Sequence, residues 1–273
     1  MYKNKEELMQ LLKREKIWTN KNLGQNFLIN PTILDEIISA ADLTNQDYIM
    51  EVGPGLGVLT EKLLEHAKTV HSIELDQQLI PYLKRTFSNN KTFELEEGTA
   101  LKARLPDHPY KLVANIPYYI TSPLLRHFLN PKDPAQLRPE LIVLLVQKEV
   151  AQKICADAND QSILSLNVQI FGKPQIIQTV APANFFPIPK VDSAILKIEV
   201  YKEPLITNLK LFSQITRIAF AQRRKTLGNT IKNFTRQNRE ETEALLKSIN
   251  IDPSQRPQTL SIQQWQTLID KLI

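Results

Sequence analysis

Three of the chain's seven glycines fall within five positions, in the stretch Glu51-Val-Gly53-Pro-Gly55-Leu-Gly57, and no other feature of the 273 residues restricts the fold as much. They follow the apolar run Tyr48–Val52, which reads as a buried strand, and precede a helical pattern near 58–66. A strand, a glycine turn and a helix form the unit with which α/β folds approach a nucleotide. Glycine tolerates the tight turn and leaves no side chain between backbone and ligand. Further apolar runs at Thr69–Leu75, Lys111–Asn115 and Glu140–Gln147 alternate with helical patterns near 77–87 and 122–129. That alternation predicts a mainly parallel sheet with helices on both faces. Gln175–Val180 and Ser193–Val200 have no helix between them and predict an antiparallel pair closing one edge.

The glycine spacing narrows the ligand. A dinucleotide fingerprint needs G-x-G-x-x-G, but here the third glycine is Gly57 and position 58 is Val. No Gly-Lys-Ser/Thr follows to cradle a triphosphate. The compressed pattern, preceded by the acid Glu51, fits a cofactor without a pyrophosphate. Seventeen residues past Gly57, Glu74 ends the second strand in Ser72-Ile-Glu-Leu-Asp76. A carboxylate there can accept both hydroxyls of a ribose, whereas Asp76 reads as the cap of the next helix. The loop (Gly53, Gly55, Gly57) and Glu74 together point to S-adenosylmethionine.

Asn115-Ile116-Pro117-Tyr118 follows from the carboxyl end of the strand Lys111–Asn115, where open α/β sheets bind ligands. An exocyclic amine on a nucleobase is a poor nucleophile because its lone pair is delocalised into the ring. The Asn115 side-chain oxygen and the backbone carbonyl of Ile116 can hold the amine hydrogens and aim that lone pair at a sulfonium methyl. Pro117 fixes the turn, and Tyr118 offers a stacking face for the base. Phe185, in Phe185-Phe-Pro-Ile-Pro-Lys190, is the candidate for the opposite face, with Phe186 assigned to the core.

The charge is unevenly placed. Residues 1–202 balance 23 Lys/Arg against 23 Asp/Glu, while residues 203–273 hold 11 against 6 and carry the whole net charge of +5. Between Pro204 and Arg239 there are eight basic residues and no acid. Such a block attracts an anionic partner, most simply nucleic acid. Arg223, Arg224 and Lys225 lie together at the expected start of a helix, where the positive helix end disfavours cations unless an outside anion compensates. Beyond Lys202-Glu-Pro204 the strand signal stops, and helices are expected near 206–220, 225–235, 240–249 and 261–272, the last capped by Ser261. The predicted organisation is a Rossmann-like α/β catalytic domain over 1–202 followed by a small all-helical, basic domain over 203–273.

A single cysteine, Cys155, excludes a disulfide framework and a cysteine metal cage, and the four histidines show no metal-ligand spacing. No metal is therefore expected. The longest apolar run, Leu141–Val146, is too short for a bilayer, and the first residues resemble neither a signal nor a transit peptide. A soluble, cytoplasmic monomer is expected.

Taken as a set, these motifs resemble the ribosomal RNA adenine dimethyltransferase family, in particular its small-subunit branch. The likeness runs from about Asn22 to the end. It adds Leu23-Gly-Gln-Asn-Phe-Leu28, Val146-Gln-Lys-Glu-Val-Ala151 and Gln222-Arg-Arg-Lys-Thr-Leu227 to the stretches already quoted. The resemblance implies a class I methyltransferase fold, cofactor contacts from Asn26, Leu28, Gly53, Glu74 and Asn115, and dimethylation of two adjacent adenosines in the 3′-terminal hairpin of the small-subunit RNA. The implied partner is small-subunit rRNA or the pre-small subunit. The Gln-Arg-Arg-Lys-Thr-Leu stretch separates this branch from the large-subunit enzymes. Those enzymes, and an RNA-binding assembly factor without catalysis, are the alternatives. In one place the chain departs from the family: Glu97-Gly-Thr99-Ala-Leu101 has Thr99 where an adenine-binding Asp is usual, which removes the charge from that hydrogen bond.

Overall fold

The computed structural model describes residues 2, 4–222 and 224–272. The chain divides into two compact units: Met1–Ala151 with Pro174–Val200, and Gln152–Lys173 with Tyr201–Ile273.

The first unit is built on a seven-stranded sheet of order β4-β3-β2-β5-β6-β9-β7. Its strands are β2 (Tyr48–Val52), β3 (Thr69–Glu74), β4 (Phe93–Glu97), β5 (Lys111–Asn115), β6 (Leu141–Gln147), β7 (Gly172–Val180) and β9 (Ser193–Val200). The pairs β2–β3, β2–β5, β3–β4 and β5–β6 are parallel, and β9 runs antiparallel to β6. Six consecutive residues of β6, Leu141–Val146, are buried, as a central strand covered on both faces requires. The edge strand β4 is one the apolar runs did not mark. Phe93 and Leu95 pack inward, while Glu94 and Glu96 alternate outward beside His71.

Two strands of two residues, β1 (Phe27–Leu28) and β8 (Phe185–Phe186), pair antiparallel with Leu28 opposite Phe185. Helices follow their caps. Asn30 caps Pro31–Ala41, with Pro31 at its first position. The helix Val58–His66 starts from Gly57 at φ 80°. The helix expected over 77–87 is shorter, Ile80–Thr86, and its N-cap is Leu79 rather than Asp76. Ahead of the sheet, Asn4 caps a further helix, Lys5–Glu15, that buries Leu8, Leu11 and Leu12.

The second unit contains the helices Ile163–Gln169, Leu209–Ala221, Leu227–Thr235, Arg239–Ser248 and Ile262–Lys271. Ser261 does cap the last, in a reciprocal capping box with Gln264. The sequence placed everything before 203 in one domain, but 152–173 packs with the helices. The N–H groups of Asn159 and Gln161 both donate to the Gln258 carbonyl (3.2 Å each), and those of Tyr201 and Leu205 donate to Phe171 and Ile170. Trp265 is fully buried, with the Phe212 ring nearly perpendicular at 6.2 Å and Phe220 at 6.4 Å. Trp265→Ala should cost about 3–5 kcal/mol, read as a lower urea midpoint for the second unit. A loss below about 1 kcal/mol would mean the helices close over the gap.

Candidate active site

The carboxyl ends of β2, β3, β4 and β5 open onto a cleft of about 280 Å³, near the lower limit of small-molecule sites, ~300–1,000 Å³. Gly53, Gly55, Glu74, Thr99 and Asn115-Ile-Pro-Tyr118 line it, as do Asn26 and Leu28 from the β1 segment. Gly57 is not in the wall and serves to start its helix.

Gly53 and Gly55 both have positive φ, 66° and 62°. A Cβ at Gly55 would meet the Phe27 ring at an ordinary contact distance of 3.4 Å. Alanine there is therefore opposed by the backbone rather than by space. The Gly55 N–H donates to Glu74 Oε2 (3.2 Å), and the Leu75 and Asp76 N–H groups donate to Oε1 (2.8 Å each). Burial pushes the Glu74 carboxyl up, and these three bonds oppose that. With about four lone-pair positions on a carboxylate, Oε2 takes one more donor without rearrangement. The second hydroxyl of a ribose would compete with the Gly55 N–H.

Asp76 is not a helix cap. Its Oδ1 accepts from the Gln78 N–H (3.0 Å) and its Oδ2 from Gln25 Nε2 (2.6 Å). Gln25 in turn accepts from the Asn20 N–H (2.8 Å). The Leu23–Leu28 segment is thereby anchored to the end of β3, a role for Gln25 that only its long-range partner reveals.

Asn115 Nδ2 donates to the Asn26 carbonyl at 3.5 Å. This contact sets the amide so that Oδ1 remains an acceptor. Asn26 donates its own Nδ2 to the Gly24 carbonyl (3.1 Å). The Tyr118 hydroxyl pairs with the buried Ser193 Oγ at 2.7 Å, and burial pushes the phenol up. Ser193, the first residue of β9, fixes the ring offered for stacking. Thr99 Oγ1 accepts only weakly from the Leu101 N–H (3.4 Å), so the hydroxyl is there without charge.

Of the two phenylalanines Phe185 is the deeper, Phe186 packs against the same core, and neither lines the cleft. Phe185 is 1% exposed in the core, and Phe186 is half-buried with Lys5 Nζ 5.6 Å from its ring. Pairing with Leu28 turns Phe185 inward, so its face is not available to a base in this conformation.

In the second unit Arg224 and Lys225 are exposed, with no ion pair to any described acid, while Arg223 lies outside the described residues. They sit in the turn after Ala221. The helix begins at Leu227 with Thr226 as its cap, so Arg224 and Lys225 precede its first turn. No group of three or more potential ligands for a metal occurs among the described residues, and no helix among them is long and apolar enough to cross a membrane.

The family model of ribosomal RNA adenine dimethylases matches residues 18–273. The chain belongs to that family. It is 42% identical over 255 residues to the ribosomal RNA small subunit methyltransferase A of Dehalococcoides mccartyi, covering 91% of this chain and 86% of the relative. To the protein of that name from Clostridium botulinum it is 40% identical over 260 residues, covering 92% and 93%. The crystal structure of a dimethyladenosine transferase from Plasmodium falciparum superimposes with a TM-score of 0.77 at 30% identity, covering 90% of this chain and 98% of that one. That of the 23S rRNA methyltransferase ErmE gives 0.74 at 26% identity, covering 90% and 99%.

The dimethylase cleft holds a second buried carboxyl, Glu51. Its Oε2 accepts from Thr60 Oγ1 and Ser72 Oγ, both at 2.7 Å, and burial pushes it up to about 7. Above pH 4.5 the unfolded chain loses this proton while the folded one keeps it to about pH 7, so this group makes stability fall as pH rises between those values. Glu51→Gln keeps an acceptor for both hydroxyls and removes the titration. Urea melts should show a shallower pH slope between 4.5 and 7 and a gain at pH 8 of up to about 3 kcal/mol. A slope equal to the parent's would mean that Glu51 titrates as an exposed acid does.

Proposed function

We propose that this enzyme dimethylates the 6-amino groups of two adjacent adenosines in the 3′-terminal hairpin of small-subunit ribosomal RNA, with S-adenosylmethionine as methyl donor. The reading rests above all on Asn115, whose amide nitrogen is engaged by Asn26 while its oxygen faces no protein donor among the described residues. It shares one cleft with Glu74 and the glycine turn. That cleft fits the cofactor. The turn has no Cβ where a ligand would lie, and Glu74 still accepts a hydroxyl.

Bound there, S-adenosylmethionine supplies a sulfonium methyl, already attached to a good leaving group. Glu74 holds the ribose, Asn26 and Leu28 close the wall beside it, and Thr99 offers a neutral acceptor to the adenine. Asn115 Oδ1 and the Ile116 carbonyl accept the two amine hydrogens of the substrate base, which draws its lone pair out of conjugation and toward the methyl. Their partial negative charge also stabilises the positive charge that grows on nitrogen. Tyr118, steadied by Ser193, gives the extruded base a stacking face.

Two experiments test this. Labelled S-adenosylmethionine with small subunits lacking the modification should place label on two neighbouring adenosines, and Asn115→Ala should cut the rate by at least about 100-fold. Label appearing in large-subunit RNA instead would favour the second reading, which the likeness to ErmE supports. For the basic unit, the double substitution Arg224→Gln, Lys225→Gln should weaken subunit binding and reduce the salt slope by about 0.9 for each duplex phosphate that is no longer neutralised. Cofactor affinity should not change, since the cleft is lined wholly by the first unit. An unaltered salt slope would remove these residues from the RNA interface.

A further inference from the structure

Two tyrosines follow Asn115-Ile-Pro117 in the cleft wall, and the fold treats them differently. Tyr118 is half-buried, and its hydroxyl is paired with Ser193. Tyr119 lines the same cleft, yet it is 59% exposed. A ring left this open adds little to stability through burial. Single exposed aromatics are ordinary on a protein surface, but this one stands in the wall of the site and is braced from one side.

The brace is Gly24. A Cβ there would lie 3.4 Å from Cδ1 and 3.5 Å from Cε1 of the Tyr119 ring, so one edge of the ring rests beside that glycine. The same stretch of chain engages Asn115: Asn26 donates to the Gly24 carbonyl, and its own carbonyl accepts from the Asn115 amide. Tyr118 and Tyr119 belong to one short 3-10 turn, Tyr118–Ile120, in which successive side chains diverge by about 120°. One ring is thereby directed to β9 and the other to the Gly24 side of the cleft.

The reaction supplies an occupant for the second ring. An adenosine that leaves its stack to reach Asn115 gives up its own stacking and also uncovers a face of the base beside it. The sugar–phosphate chain keeps that neighbour within one nucleotide of the cleft. An aromatic side chain at the cleft mouth can take the uncovered face in place of the lost base.

We propose that Tyr119 is the stacking platform for the nucleotide next to the adenosine in the cleft, the other member of the adjacent pair. The proposal rests on the dimethylation reading given above. It gives the two rings separate tasks: Tyr118 meets the base that receives the methyl, and Tyr119 steadies its neighbour.

The test is single-turnover methylation by the full-length parent, Tyr119→Ala and Tyr119→Phe. The substrates are small subunits reconstituted with RNA in which both adenosines are present, or in which one or the other is replaced by an abasic nucleotide. On intact RNA, Tyr119→Ala should slow transfer about five- to one-hundredfold. Tyr119→Phe keeps the stacking face and should restore the rate. The affinity of both variants for S-adenosylhomocysteine, read by calorimetry, should equal the parent's. On one of the two abasic substrates the alanine variant and the parent should run at the same rate, because the base that the ring would hold is gone. An alanine penalty of equal size on the intact and on both abasic RNAs overturns the proposal. So does the absence of a penalty on intact RNA, a phenylalanine variant as slow as the alanine one, or a matching loss of cofactor affinity. If the parent labels neither adenosine, the dimethylation reading itself fails. If it labels both and only the coupling to the abasic site is missing, this proposal alone falls.

Discussion

Two loops of the cleft depend on the last two residues of β3. The Gly53 N–H donates to the Ile73 carbonyl (2.9 Å), the Gly98 N–H to the Glu74 carbonyl (2.8 Å), and the Gly55 N–H to the Glu74 side chain. The turns after β2 and β4 are thus referred to one point on the strand between them. A buried carboxylate is costly unless hydrogen-bonded, and here the bonds that offset the cost also hold the glycine turn in shape. A ligand therefore meets a wall already in place and spends little on ordering it.

Glu51 and Glu74 show how much the kind of donor matters. Both are buried at the carboxyl edge of the sheet, on neighbouring strands. Glu51 receives two side-chain hydroxyls on one oxygen, whereas Glu74 receives three backbone N–H groups spread over both. Hydroxyls can rotate to suit a protonated or an ionised acid. Backbone N–H groups cannot, and they favour the ionised form. Glu74 is held as an acceptor, while Glu51 is free to hold a proton near neutral pH.

Much of this was legible beforehand where local pattern and tertiary demand agree. The strands Tyr48–Val52, Lys111–Asn115 and Ser193–Val200, the glycine turn and the Asn115–Tyr118 motif are encoded by short stretches that carry their own signal. The strand Phe93–Glu97 was not located, because an edge strand with alternating glutamates lacks an apolar run. Phe185 was matched to the base rather than to the core because two adjacent aromatics give no phase. Only pairing with Leu28, far away in sequence, decides which one lies deeper. Asp76 looked like a cap because its competing partner, Gln25, is 51 positions away. The placement of 152–173 with the helices likewise rests on hydrogen bonds to Gln258, which no local pattern announces.

The pairing of Phe27–Leu28 with Phe185–Phe186 has a consequence for the order in which the site can come into being. Leu28 on one side of the cleft and Tyr118 on the other are each held by residues beyond 184, through Phe185 and Ser193. Bringing together residues so far apart in sequence is entropically costly and late. On the ribosome, the glycine turn, Glu74 and Asn115 all leave the exit tunnel well before these partners do. A nascent chain that ends short of Ser193 has every residue of the methyl-transfer motif and still lacks the finished cleft.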